Sequence, residues 1–301
     1  MTDRQPLLGG IELGGTKCVC LIGSGPDDIR VQVSVPTGAE PLSTLKHIKE
    51  VLRNAITVHG PIRALGIASF GPLDRCRTSP TYGSITTTVK PGWSHTAIVA
   101  PLREAFAVPV AFDTDVNGAA LAEGRWGGAT GLSDFAYVTV GTGVGVGIMA
   151  NGALIHGFGH PELGHIRVAR KRFDEWPGAC AFHGDCVEGL ASGPAITARA
   201  GGPPHLVPEN DPAWALAAHA LAQLAHTLVV ASAPRRILMG GGVIQGRPSL
   251  LEGVREELLA SLNGYIALEA LTGQIDRYLC PPGLGELAGP LGALALAATL
   301  L

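Results

Sequence analysis

Charge of either sign is in short supply in this 301-residue chain, where 22 Lys and Arg face 25 Asp and Glu for a formal charge of −3. A balance so near neutral offers no electrostatic footprint for nucleic acid or an anionic membrane, and neither is expected as a partner. Long hydrophobic runs are missing too. The most apolar stretch, LAGPLGALALAATLL near the C-terminus, is too short to span a bilayer and contains Pro290, so it reads as a buried helix. The N-terminal MTDRQPLLGG lacks the basic start and apolar core of a secretory signal. Cysteine is sparse: Cys18, Cys20, Cys76, Cys180, Cys186 and Cys280 are scattered over a large chain. That excludes a disulfide framework and points to a reducing cytoplasm. Neither the P-loop nor the dinucleotide fingerprint is present, and no low-complexity linker divides the chain.

What is abundant is glycine, 42 residues within a composition that is 46% hydrophobic. Such a chain is tightly turned and long enough for one large domain or two moderate ones. In LLGGIELGGTKCVCLIG a β-patterned run enters glycines and returns as a second run of period two. FAYVTVGTGVGVGIMANG, starting at Phe135, repeats the same strand–glycine turn–strand pattern about 125 residues later. Two related lobes are therefore expected. Between the hairpins come a helical run (LSTLKHIKEVLRNAI), a strand (ALGIASFG), a helix (HTAIVAPLREAF) and a strand (VPVAFDTD). After the second come the alanine-rich helix DPAWALAAHALAQLAHTLVVASA, the strand-to-glycine run RRILMGGGVI and two more helical runs. Alternating strands and helices predict an α/β architecture with mixed sheets.

Three glycine clusters follow strands: Gly14, Gly15, Thr16 and Lys17; then Gly141, Thr142 and Gly143; then Gly240, Gly241 and Gly242. Glycine lets backbone N–H groups approach a phosphate, and a neighbouring hydroxyl or Lys adds donors. One cluster alone is as well explained by a tight turn; three together point to a nucleotide. AFDTDVNGAALAEG places Asp113, Asp115 and Asn117 where a strand gives way to a helix. A carboxylate there can accept the proton in phosphoryl transfer to a hydroxyl, or it can simply cap the helix. The densest constellation is Cys180, His183 and Cys186, with His165 upstream across fourteen intervening residues. A His₂Cys₂ set of this spacing suits a closed, tetrahedral, structural zinc, although two buried cysteines and two surface histidines fit the same spacing. His156 and His160 compete for the fourth position. Glu162 and Glu188 flank the set, where a fixed carboxylate can accept hydrogen bonds from sugar hydroxyls or remain solvated.

Taken together, these segments resemble the ROK family of sugar kinases, and most closely its zinc-containing fructokinases. The similarity rests on GGIELGGTK, DTDVNGAALAEG, VTVGTGVGVGI, HPELGH with CAFHGDCVEGLASGPAI, MGGGVI and LGELAGPLGA, and it covers nearly the whole chain. It implies the actin-like ATPase (ribonuclease H-like) fold, with a duplicated core and an active-site cleft between two lobes. The small lobe would span 1–116, joined by a C-terminal helix at about 286–301, and the large lobe 117–285. The resemblance implies ATP-dependent phosphorylation of D-fructose to D-fructose 6-phosphate, with Asp115 as general base. Gly71, Pro72, Asp115, Glu162 and Glu188 would meet the sugar. Gly14 to Lys17, Gly141 to Gly143 and Gly240 to Gly242 with Val243 and Ile244 would meet ATP. It further implies Mg²⁺ with the nucleotide, structural Zn²⁺ on His165, Cys180, His183 and Cys186, and a homodimer.

Three departures from the family pattern stand out. Glu12 occupies the place of an aspartate in the first phosphate motif. His183 replaces a cysteine in the metal segment. Thr114 stands where glucose-type members carry Asn, which shifts the reading from glucose towards fructose. Kinases of glucose, mannose or an N-acetyl hexosamine are the alternatives. A sugar-responsive regulator would need a helix-turn-helix module ahead of the first motif, and about ten residues precede it here.

Overall fold

The computed structural model describes residues 6–266, 271 and 273–301. Two compact units form: Met1–Gly131 with Leu154–His160 and Glu286–Leu301, and Leu132–Ala153 with Pro161–Gly285. In the first unit the elements are β1 (Leu8–Leu13), β2 (Lys17–Gly25), β3 (Asp28–Pro36), α1 (Pro41–His59), β4 (Leu65–Ser69), β5 (Leu73–Asp74), β6 (Ser84–Ile85), α2 (Val99–Phe106), β7 (Val110–Thr114) and α3 (Asp115–Trp126), with a last helix at Ala288–Ala298. Its main sheet has the order β3-β2-β1-β4-β7. β1 runs antiparallel to β2, which runs antiparallel to β3, while β4 is parallel to both β1 and β7.

The second unit contains β8 (Phe135–Val140), β9 (Val144–Ala150), β10 (Ala153–Leu154), α4 (Val187–Ala191), α5 (Gly193–Ala200), α6 (Pro212–Ser232), β11 (Ile237–Gly240), α7 (Gly242–Gly246), α8 (Ser249–Leu262) and β12 (Leu279–Cys280). Its sheet order is β10-β9-β8-β11-β12, the third-second-first-fourth-fifth order of the first sheet. β8 and β9 pair antiparallel, whereas β11 pairs parallel with β8 and with β12. The duplication legible in the two glycine hairpins is thus a duplication of whole sheets.

The pleat of β1 sorts its neighbours. Ile11 and Leu13 join Cys18, Cys20 and Ile22 of β2 in a core with Leu45, Ile48 and Leu52 of α1. Burial pushes the Cys18 and Cys20 thiols up to about 11 and about 12, so both act as small apolar side chains. Cys18, Cys20, Cys76, Cys180 and Cys186 form no disulfide. On the other face lies the last helix, which approaches closely enough to forbid side chains. A Cβ on Gly66 would lie 1.8 Å from Ala293 O, and one on Gly292 would lie 2.4 Å from the carbonyl carbon of Gly118. Gly292→Ala is therefore expected to destabilise the fold by about 1–3 kcal/mol, because backbone rather than a flexible side chain must move. Urea unfolding measures this, and an unchanged midpoint would contradict it.

That same contact of α3 with the last helix explains a shifted boundary. From the sequence the small lobe is expected to end at 116 and the large one to take residues 117–285. The first compact unit instead runs to Gly131 and takes in α3, because Gly118 sits against Gly292. Residues 154–160 also join the first unit. The helix expected from His95 begins at Val99, since Thr96 O accepts the Ile85 N–H and residue 97 bridges to Ser84. Among the described helices one, α6, is long and apolar enough to cross a membrane. Its Leu221, Leu224 and Leu228 are buried in the second unit.

Candidate functional site

In the first unit the sheet delivers two carboxyl groups. Asp115 is the first residue of α3, directly after β7, and its Oδ1 accepts the Val116 N–H at 2.9 Å. The helix cap is neither Asp113 nor Asn117 but Thr114, whose Oγ1 accepts the Asn117 N–H at 3.2 Å. Burial pushes the Asp115 carboxyl up to about 6. Glu12, on the last-helix face of β1, is pushed up to about 7 by burial and by the Asp115 charge, against the opposing pull of Lys17. Room for Glu12 comes from Gly289, where a Cβ would lie 2.1 Å from its Oε1. Both carboxyls are thus raised towards neutral pH.

Asp113 behaves in the opposite way. Burial works against its charge, but the His156 bond at 2.9 Å and the Arg75 guanidinium at 2.7 Å outweigh that cost. Its carboxyl is held below the usual range. Asn117 Nδ2 also donates to it at 2.8 Å. Asp113 is thus an ion-pair hub behind Asp115, a role that the sequence spacing did not reveal.

The first glycine cluster, Gly14 to Lys17, is the β1–β2 turn. Gly14 N donates to Lys17 O at 3.1 Å, and Thr37 Oγ1 donates to Gly14 O at 2.7 Å. Thr16 and Lys17 are exposed. Gly71 and Pro72 follow β4, joined by a cis peptide bond. Beside them Phe70 stands edge-on to the buried Trp93, with ring centroids 5.5 Å apart.

In the second unit His165, Cys180, His183 and Cys186 converge, all four donor atoms lying within 4.8 Å of one another. His165 Nδ1 is 3.3 Å from His183 Nδ1 and 3.5 Å from Cys186 Sγ. Cys180 Sγ is 3.7 Å and 3.6 Å from the same two nitrogens. A tetrahedral zinc with its usual bond lengths requires about 3.3 Å between nitrogens and about 3.6 Å between nitrogen and sulfur. These four separations match those edges. Burial pushes the Cys186 thiol up to about 11, so a bound cation is what would make its thiolate favourable. The loop closes tightly: Cys180 and Gly184 exchange both backbone hydrogen bonds, and a Cβ on Gly189 would lie 1.8 Å from Gly184 O. The competing histidines are occupied elsewhere, His156 on Asp113 and His160 on the Leu73 N–H.

Glu188, in the first turn of α4, links the donor set to the second glycine hairpin. Its Oε2 accepts the Val144 N–H at 3.1 Å, and its Oε1 lies 3.9 Å from His165 Nε2. Glu162 precedes a short 3-10 turn, Leu163–His165, and its carbonyl accepts the His165 N–H at 2.9 Å.

A cavity of about 430 Å³ unites the second and third glycine clusters. Gly141, Thr142, Gly242 and Val243 line it. Of the remaining predicted contacts, Gly143 backs onto Glu188, Gly240 onto Pro282 and Gly241, at φ 91°, onto the Val140 backbone, while Ile244 is buried. Trp214, Arg247 and His205 complete the wall, and the Arg247 guanidinium sits 4.2 Å over the Trp214 ring. Sequence reasoning missed this stacked pair, since no motif ties a helix tryptophan to an arginine beyond the third cluster.

The family model described as "ROK family" matches residues 8–299. The chain belongs to the ROK family. Among its ROK relatives, a fructokinase of Zymomonas mobilis is 41% identical over 305 residues, covering 99% of this chain and 98% of that protein. A fructokinase of Pediococcus pentosaceus is 39% identical over 295 residues, covering 98% and 99% respectively. Among solved structures, the ROK hexokinase from Thermus thermophilus superimposes with a TM-score of 0.77 at 28% identity, covering 98% of each chain. The duplicated five-stranded sheets are accordingly those of the actin-like ATPase fold shared by ROK sugar kinases.

Proposed function

We propose that this ROK chain is an ATP-dependent hexose kinase that converts D-fructose and ATP to D-fructose 6-phosphate and ADP. The observation that carries the reading is Asp115, a carboxyl at the end of β7 with its proton affinity raised to about 6. A base poised near neutral pH accepts a hydroxyl proton efficiently. In the reaction the fructose O6 attacks the γ-phosphorus. The O6–P bond forms as the bond to the β-phosphate oxygen breaks, and the O6 proton passes to an Asp115 carboxylate oxygen.

In the Gly14–Lys17 turn, whose Gly14 N–H is taken by Lys17 O, the following residues supply N–H and ammonium donors to the phosphates, and the Trp214–Arg247 cavity takes the nucleoside. Mg²⁺, carried with ATP, would neutralise phosphate charge. Glu162 and Glu188 accept hydrogen bonds from sugar hydroxyls, and Gly71 and Pro72 are read as sugar-contacting residues. His165, Cys180, His183 and Cys186 would hold zinc, whose contribution is rigidity because protein donors fill every coordination position.

Fructose is favoured over glucose by Thr114. The glucose-type Asn is missing, and the Thr114 hydroxyl is buried and turned to the Asn117 N–H. Within the same proposal the enzyme is a cytoplasmic homodimer. Initial rates of ADP release across fructose, glucose, mannose and N-acetylmannosamine test the substrate. Fructose is expected to give the highest kcat/KM, and a higher value for any other sugar would overturn the assignment.

A further inference from the structure

The segment Leu154–His160 leaves the second hairpin yet packs within the first unit, and both of its histidines make anchoring contacts there. His156 Nε2 reaches Asp113 Oδ2 at 2.9 Å. His160 Nε2 accepts the Leu73 N–H at 3.0 Å. An acceptor role fixes that ring with its lone pair on Nε2. The ring also lies against Gly71, where a Cβ would stand 3.3 Å from its Cε1 and 3.4 Å from its Nε2. Glycine serves close approach there, because Gly71 does not have a positive φ.

The loop from Ser69 to Leu73 is held at three points. Phe70 N donates to Leu13 O at 2.8 Å, and Thr86 N donates to Pro72 O at 2.8 Å. The third point, Leu73 N, is the one held by a side chain from outside the first 131 residues. We propose that His160 is a positioning residue for the hexose: it clamps the Gly71–Leu73 stretch in the shape that receives the sugar. This rests on the assignment of Gly71 and Pro72 to the sugar pocket. Loss of the clamp leaves the Leu73 N–H unpaired and lets the loop relax, so hexose affinity falls while the nucleotide and proton-transfer machinery is untouched.

His160→Ala is expected to raise KM for fructose about three- to tenfold, the range one such hydrogen bond supports. KM for ATP and kcat stay within about twofold. His160→Gln should recover most of the loss, because its Oε1 can accept where Nε2 did. Phe158→Ala, on a fully exposed residue of the same segment, should change nothing. Gly71→Ala, which pushes against the His160 ring, should repeat the rise in fructose KM. An unchanged fructose KM in His160→Ala overturns the proposal, as does a parallel loss in kcat and both KM values, or a Gln variant no better than Ala. Calorimetric fructose binding separates the levels. Absent binding in the wild-type protein defeats the sugar-kinase reading itself, whereas equal binding by wild type and His160→Ala defeats only the clamp.

Discussion

Asp115→Asn is expected to lower kcat by about 10²–10⁴-fold, the usual contribution of a positioned general base. The substitution keeps the shape, and an amide oxygen can still accept the Val116 N–H that Oδ1 now accepts. What it removes is the site where the O6 proton goes. Its effect on stability has the opposite sign. The folded Asp115 carboxyl titrates near 6 against an ordinary 3.8, and Glu12 near 7 against 4.5. Folded protein therefore holds these protons more tightly than unfolded protein. The stability they contribute is fully present below about pH 4 and is lost as pH rises through 6 and 7. At pH 8 the wild type carries the cost of two charged carboxylates held partly out of water, and Asp115→Asn relieves the part due to Asp115. The variant should melt at or above the wild-type Tm at pH 8, with the difference shrinking towards pH 4. Near-normal kcat would remove Asp115 from its role, and a variant less stable than wild type at pH 8 would contradict the burial cost. The wild-type kcat should also fall on the acid side with an apparent pKa near 6.

The second large effect concerns the metal. Purified protein is expected to contain close to one zinc per chain, and His183→Ala to lose it on dialysis. Three donors with about the right separations remain in that variant, yet one corner of the tetrahedron is gone and water enters. Because zinc binding is coupled to ordering of the loop that also carries Glu188, chelation of the wild type should lower Tm and raise fructose KM together. Full zinc retention by His183→Ala would mean the donor set is wrong.

Much of this was legible in the residues because the signals were local. Period-two runs broken by glycines gave both hairpins, and donors three apart on one short loop gave three members of the four-donor cluster. Asp115 stood out by its place between a strand and a helix, but its difference from Asp113 did not. They lie two positions apart, and only the fold gives Asp113 the Arg75 and His156 partners that outweigh its burial, whereas at Asp115 burial prevails. Contacts between distant segments were equally hidden. Nothing in ANGALIHGFGH says that it packs with the first unit, nor does Gly118 announce Gly292. The Trp214–Arg247 stack escaped for the same reason: its partners lie on α6 and just beyond α7.

The central claim is transfer of the ATP γ-phosphoryl group to the fructose 6-hydroxyl. It is tested most directly by phosphorus NMR of zinc- and Mg²⁺-loaded protein with ATP and D-fructose. The account predicts loss of the γ resonance with stoichiometric appearance of ADP and a single phosphomonoester at C6 of fructose. ADP appearing with inorganic phosphate alone, or ATP left intact whether or not fructose is present, would contradict it.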